Sequence, residues 1–203
     1  MSATEIRDRL IAQRVIPVLR LGTSDLTERA VACLIDAGFS TVEITMTTPG
    51  ALGLIGRLSR RLLVGAGTVL DMETAHRSLQ AGARFIVSPC LVPGLAGEAH
   101  VAGCAALIGG FTPGEVLAAH REGADIVKVF PASSGGPEHL RALHAVFPAL
   151  LFCPTGGISL DNLQAYFGAG AACVGVGNNI IDQGALAAGD LARVTDRARA
   201  FLS

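Results

Sequence analysis

The sixteen basic residues of this 203-residue chain are fifteen arginines and one lysine, Lys128. The lysine sits inside the apolar run Asp125-Ile126-Val127-Lys128-Val129-Phe130. Arginine carries a positive charge but cannot shed its proton to become an amine nucleophile. A lysine kept only here points to a need for an amine, since a buried amine has a lowered pKa and can add to a carbonyl to form an imine. Glu43 is likewise a charged residue inside an apolar run, Thr41-Val42-Glu43-Ile44. If both side chains face one interior they can meet, and a buried carboxyl with a raised pKa moves protons near neutral pH. The competing readings are a purely structural Lys128–Glu43 ion pair and a lysine surviving by chance in an arginine-rich composition. Against the second, an isolated lysine is seldom fully buried without a partner or a role.

A recurring phrase supplies the elements that must position these two residues. It is a helix end, a glycine, one or a few residues, then a short apolar strand. Gly38 precedes Thr41–Ile44, Gly82 precedes Phe85–Val87, and Gly103 precedes Ala105–Ile108. Gly123 precedes Ile126–Val129, and Gly170 precedes Cys173–Val176. Glycine after a helix provides a left-handed cap from which a strand can start at once. Three further strands are expected at Val15–Leu19, Leu62–Val64 and Leu151–Cys153, which makes eight, with starts 20 to 26 residues apart. The strands are apolar on both faces, as parallel strands covered by helices must be. Alternating βα units with eight strands predict an α/β fold, a short (β/α)8 TIM barrel. Residues before Val15, opened by the capping-box pattern Ser2-Ala3-Thr4-Glu5, would form an extra N-terminal helix closing the barrel floor. An open doubly wound sheet is the alternative, weakened because no glycine-rich dinucleotide fingerprint follows the first strand. With no linker or low-complexity tract, residues 1–203 are expected to form one domain.

In a TIM barrel, chemistry gathers at the C-terminal strand ends. Arg20 ends the first strand and could clamp a carboxylate or phosphate with two parallel hydrogen bonds; a solvated arginine is the plainer reading. The last two strands run into Pro154-Thr155-Gly156-Gly157-Ile158-Ser159 and Gly175-Val176-Gly177-Asn178-Asn179. Exposed amides in such turns can cradle an anion, and barrels often hold phosphate there, although turn glycines also occur for geometry alone. Cys90 lies near the mouth, where a lone cysteine is more often a bystander than a catalyst.

Several function classes are disfavoured. The five histidines (His76, His100, His120, His139, His144) fall in helix or loop regions, so a metal site built on strand ends is not expected. Tyr166, the single tyrosine, belongs to the helix after strand 7. A net charge of −1 offers nothing to nucleic acid or an anionic membrane. No apolar run approaches the ~18 residues of a membrane span, and the N-terminus is not a secretory signal. Half the residues are apolar and 16% are charged, which implies a large core and a buried subunit contact. The five cysteines form no CxxC pair, so free thiols in a reducing cytoplasm are expected.

Six segments, in order and at matching spacing, carry a family resemblance over nearly the whole chain. They are Val15–Arg20, Val42–Pro49 (reading Val-Glu-Ile-Thr-Met-Thr-Thr-Pro), Val64–Leu70, Phe85–Pro89, Val127–Pro131 and Pro154–Ser159. Together they resemble the aldolases that cleave 2-keto-3-deoxy-6-phosphogluconate and 4-hydroxy-2-oxoglutarate. The resemblance implies a class I aldolase on a TIM barrel, needing no metal or organic cofactor and assembling as a homotrimer. By the same resemblance Lys128 is the imine-forming lysine and Glu43 moves protons. Thr68 and Pro89 surround the pyruvyl group, and Phe130 packs beside the lysine. Thr155, Gly156 and Gly157, with Gly177 and Asn178 of the strand-8 turn, form the anion-binding end. Arg20 matches an arginine that binds a substrate anion in some members.

The chain departs from the family pattern at three places. Thr47, an expected substrate-binding residue, stands where some members carry an arginine, which would pass the anion contact to Arg20. Strand 5 reads Ile108-Gly109-Gly110 where a proline is usual before the second glycine, and Asn178 stands where glycine or serine is common. These differences bear on phosphate affinity and substrate choice rather than on the imine. The galactonate epimer and 4-hydroxy-2-oxoglutarate remain alternative substrates. A phosphosugar epimerase or isomerase, and a non-catalytic phosphosugar binder, are the more distant alternatives.

Overall fold

The computed structural model describes residues 1–202. Eight parallel strands pair in the order β7-β6-β5-β4-β3-β2-β1-β8. They are β1 (Val15–Leu19), β2 (Thr41–Thr45), β3 (Leu63–Gly67), β4 (Phe85–Val87), β5 (Ala105–Gly110), β6 (Ile126–Val129), β7 (Phe152–Pro154) and β8 (Val174–Val176). The parallel bridges Phe152↔Ala171 and Thr155↔Gly175 bring the β7 and β8 segments together and nearly close the ring. Around it run α2 (Ser24–Ala37), α3 (Ala51–Leu58), α4 (Met72–Gln80), α5 (Leu95–Val101), α6 (Pro113–Arg121), α7 (Gly136–Val146), α8 (Leu163–Gly168), α9 (Gln183–Ala188) and α10 (Leu191–Arg199), with α1 (Ala3–Gln13) preceding β1. The expected (β/α)8 barrel with an extra N-terminal helix is what forms.

All five glycines of the recurring phrase adopt positive φ. Gly38 shows the purpose: at φ 109° its N–H bonds back to Leu34 and Ile35 carbonyls, ending α2 three residues before β2. Strand limits differ from expectation at β3, which begins at Leu63 and runs on to Gly67 instead of stopping at Val64. Glycine is a poor strand former in isolation, but pairing of Thr41–Thr45 with Leu63–Gly67 carries it into the ladder. Similar pairing takes β5 to Gly110, while β7 and β8 each start one residue later than expected.

Alternation along each strand splits the core in two. Val42, Ile44, Val127, Val129 and Val174 pack outward among the helices. Ile16, Leu63, Phe85, Leu107, Ile126, Cys153 and Cys173 fill the barrel interior. Ile6 and Leu10 of α1, both 0% exposed, join that interior cluster and close the floor. The capping box fixes where this helix starts, since Ser2 accepts from the Glu5 N–H and Glu5 accepts from the Ser2 N–H. Leu10→Ala should therefore open a cavity under the site and cost about 2–5 kcal/mol. Denaturant titration should show a lower midpoint with the slope unchanged. An unchanged midpoint would mean that α1 does not seal the barrel.

Candidate active site

The same alternation selects the side chains that enter the barrel mouth. On β6, Lys128 points inward between outward-facing Val127 and Val129; on β2, Glu43 and Thr45 point inward around Ile44. Lys128 Nζ and Glu43 Oε1 lie 3.8 Å apart, with side chains 6% and 4% exposed. That separation is too long for a hydrogen bond but close enough for strong charge coupling. Glu43 Oε1 is buried and accepts no hydrogen bond, so it retains a lone pair for a proton. Burial pushes the Glu43 carboxyl above the usual carboxylate range, and the nearby Lys128 and Arg20 charges offset this only in part. The Phe130 ring centroid lies 5.5 Å from Lys128 Nζ.

Space for the carboxylate depends on Gly67, because a Cβ there would fall 1.9 Å from Glu43 Oε1. Gly67→Ala should displace the carboxylate and lower kcat by about 100-fold, the cost expected of a misplacement near 1 Å. Paired steady-state kinetics and thermal melts provide the check. Wild-type turnover in Gly67→Ala would show that the position of Glu43 is not critical.

The pair opens into a cavity of about 570 Å³ at the C-terminal ends of the strands. Arg20, Thr68, Pro89, Phe130, Thr155, Gly156, Gly157, Gly177 and Asn178 all line it with Lys128 and Glu43. Thr47 does not. It falls in the turn after β2, exposed, with its Oγ1 3.1 Å from Oγ1 of Thr45, which does line the cavity. Val18, Thr45, Ile158 and Asn179 complete the wall, although no motif singles them out. Val18 and Thr45 could have been found by counting alternate residues back from Arg20 and forward from Glu43. Cys90 is exposed and is not part of this wall.

Arg20 Nη2 donates to Thr68 Oγ1 at 3.3 Å. Thr68 has φ 59°, a strained conformation for a β-branched residue and one that collects at binding sites. Across the mouth, Gly156 and Gly157 take φ of 98° and 79°. A side chain at Gly157 would also meet Ser133 Cβ at 2.6 Å. Asn162 Nδ2 donates to the Gly157 carbonyl at 2.9 Å, and Asn179 Nδ2 donates to the Ile158 carbonyl at 2.8 Å. The turn's carbonyls are thus tied back. The amides of Gly157, Gly177 and Asn178 donate to no protein acceptor among the described residues. Free amides on one wall and Arg20 on the rim suit an anion lying across the opening. No histidine lines the cavity, and among the described residues no three His, Cys, Asp or Glu side chains form a metal-binding group.

Comparison with known proteins gives this geometry a context. A profile of the KDPG and KHG aldolase family matches residues 6–197. A 2-dehydro-3-deoxy-phosphogluconate aldolase of Pseudomonas aeruginosa is 37% identical over 195 residues, covering 93% of this chain and 88% of that protein. A 2-dehydro-3-deoxy-6-phosphogalactonate aldolase of Escherichia coli is 31% identical, covering 93% and 92% of the two chains. Among solved structures, a KDPG aldolase from Legionella pneumophila, with pyruvate captured as a covalent carbinolamine, superposes with a TM-score of 0.89. It is 30% identical and covers 98% of each chain.

Proposed function

This chain belongs to the KDPG and KHG aldolase family of lyases, and from that premise we propose that it cleaves 2-keto-3-deoxy-6-phosphogluconate to pyruvate and glyceraldehyde 3-phosphate through an imine on Lys128. The observation that carries the proposal is the lone lysine set 3.8 Å from a buried carboxyl inside the barrel mouth.

Lys128 Nζ attacks the C2 carbonyl to give a carbinolamine, which loses water to form a protonated imine. Glu43, directly or through a water, moves the protons of these steps. The C4 hydroxyl gives up its proton and the C3–C4 bond breaks. The electron pair of that bond flows to the imine nitrogen, leaving an enamine of pyruvate, and the aldehyde departs. Glu43 returns a proton to the enamine carbon, and hydrolysis frees pyruvate and the amine. A carboxyl held above its usual range suits this work, because the upward shift brings proton uptake and release closer to neutral pH. No metal or organic cofactor enters these steps.

The galactonate epimer and 4-hydroxy-2-oxoglutarate are the alternative substrates, because relatives bearing the galactonate and KHG/KDPG names match at coverage comparable to the phosphogluconate aldolases. Pyruvate release from each of the three substrates, compared as kcat/KM, tests the assignment. A higher value for either alternative would replace it. Arg20 and the glycine turns are proposed to hold the substrate's anionic tail. Arg20→Met should raise KM about 10- to 100-fold, the worth of a charge-assisted bond, while borohydride trapping of pyruvate stays near wild type. An equal loss of trapping would assign Arg20 to the pyruvyl carboxylate instead.

A homotrimer is proposed from the apolar composition together with Leu70 and Leu91, which stand 54% and 39% exposed just beyond β3 and β4. Light scattering at a monomer mass would remove it. Five free cysteines suit a reducing cytoplasm. No helix is long and apolar enough to cross a membrane among the described residues.

A further inference from the structure

At the opposite end of the barrel from the mouth lies a second cleft, of about 440 Å³. Its walls are α1, the turns before β2 and β3, and the residue that precedes β4. Arg9, Arg61 and Arg84 line it, with Ser40, Ser59 and Met1. None of the three guanidinium groups lies within 4.0 Å of a carboxylate among the described residues. Other arginines, such as Arg29, Arg60 and Arg121, also lack a carboxylate partner among the described residues; what sets this cleft apart is that three such groups share one concavity. Three unpaired cations in one concavity repel one another. The cost is retained by the fold unless an anion offsets it.

Arg84 identifies where that anion would sit. Its Nη2 donates to the Met1 carbonyl at 2.9 Å, but its Nε is buried and donates to no acceptor. Its backbone is fixed by the ladder, with its N–H on the Val64 carbonyl and its carbonyl accepting from Ala105. The backbone is fixed and the guanidinium is held at one end by Met1, and its unused donor leaves room for an oxyanion to complete its hydrogen bonding. Arg9 and Arg61 are exposed at the cleft, with Arg9 Nη1 on the Met1 thioether sulfur, a weak acceptor that an oxyanion would displace.

We infer that this floor cleft is a binding site for a small diphosphate-bearing anion, distinct from the anion-binding end of the mouth. Three guanidinium groups match a multiply charged phosphate better than a single carboxylate, and the volume is within the range of small-ligand sites. In a barrel fold the N-terminal face serves stability rather than chemistry, so the occupant ties α1 to the strands and takes no part in turnover.

Calorimetric titration of the full chain with inorganic pyrophosphate, in salt near 0.15 M to screen loose surface attraction, tests this. The titration is done on the Arg20→Met background, so that binding at the mouth is weakened. Pyrophosphate should bind, and more tightly than orthophosphate. Adding Arg9→Ala or Arg61→Ala, both at exposed positions that leave the core intact, should weaken it about tenfold or more. In the otherwise wild-type chain these two substitutions should leave turnover unchanged. No binding, or binding that Arg9→Ala and Arg61→Ala leave untouched, overturns the inference.

Discussion

Lys128→Met is expected to abolish the borohydride-trapped pyruvyl adduct and to lower kcat by at least about 10⁴-fold, the scale seen when a covalent nucleophile is removed. The substitution suits the site because methionine keeps the apolar stem and removes only the amine. The fold should survive. Without the ammonium, one of the two charges that offset burial at Glu43 is gone, so its carboxyl shifts further toward the neutral form and the desolvation cost stays small. Because Lys128 is the single lysine, intact mass resolves the result cleanly. The wild type should gain one side-chain adduct and the variant none, with the α-amine as control. An adduct on the variant's side chains, or retained turnover, would remove the imine and return the epimerase or inert-binder readings.

Glu43→Gln comes second, with kcat expected to fall about 10²- to 10⁴-fold, the usual range for a positioned proton-transfer group. Glutamine keeps the shape and the clearance over Gly67 but cannot carry a proton. Loss should appear both in cleavage and in exchange of pyruvate methyl protons with deuterated water, because both need a proton moved at the same carbon. The wild-type pH profile should carry an acid limb above the ordinary glutamate value of about 4.3. The sign follows from burial, which favours the neutral carboxyl more than Lys128 and Arg20 favour its charge. Glu43→Gln should erase that limb. Methyl exchange at the wild-type rate would assign the proton transfer to another group.

Lys128 and Glu43 are legible in the amino-acid sequence because each violates the apolar composition of its strand, and period two then requires both to share the inner face. The glycine caps are equally visible, since one local conformation explains all five. Other features depend on register. Gly65 and Gly67 look like a strand terminus in isolation, and only the pairing with β2 shows that Gly67 sits over the Glu43 carboxyl. Thr47 is expected at the pocket from its place in the motif, but the chain turns immediately after Thr45 and leaves it on the outside. Asn179 ends the strand-8 turn motif but has no role assigned there; in the structure its side-chain amide ties that turn to the Ile158 carbonyl. Arg9, Arg61 and Arg84 are separated by long stretches of sequence, and only the pairing of β3 with β4 and the seating of α1 under the floor bring them to one cleft.

The packing of Ile6 and Leu10 beneath the barrel has a kinetic meaning. A cylinder blocked at one end exchanges everything through the other. On the proposed chemistry, the pyruvyl carbon is bonded to an amine deep inside, while the aldehyde half lies toward the rim. The aldehyde therefore leaves first and pyruvate last. In the synthetic direction pyruvate enters before its acceptor, and an aldehyde that arrives early obstructs the passage. Such an order makes pyruvate a competitive product inhibitor of cleavage and the aldehyde a noncompetitive one.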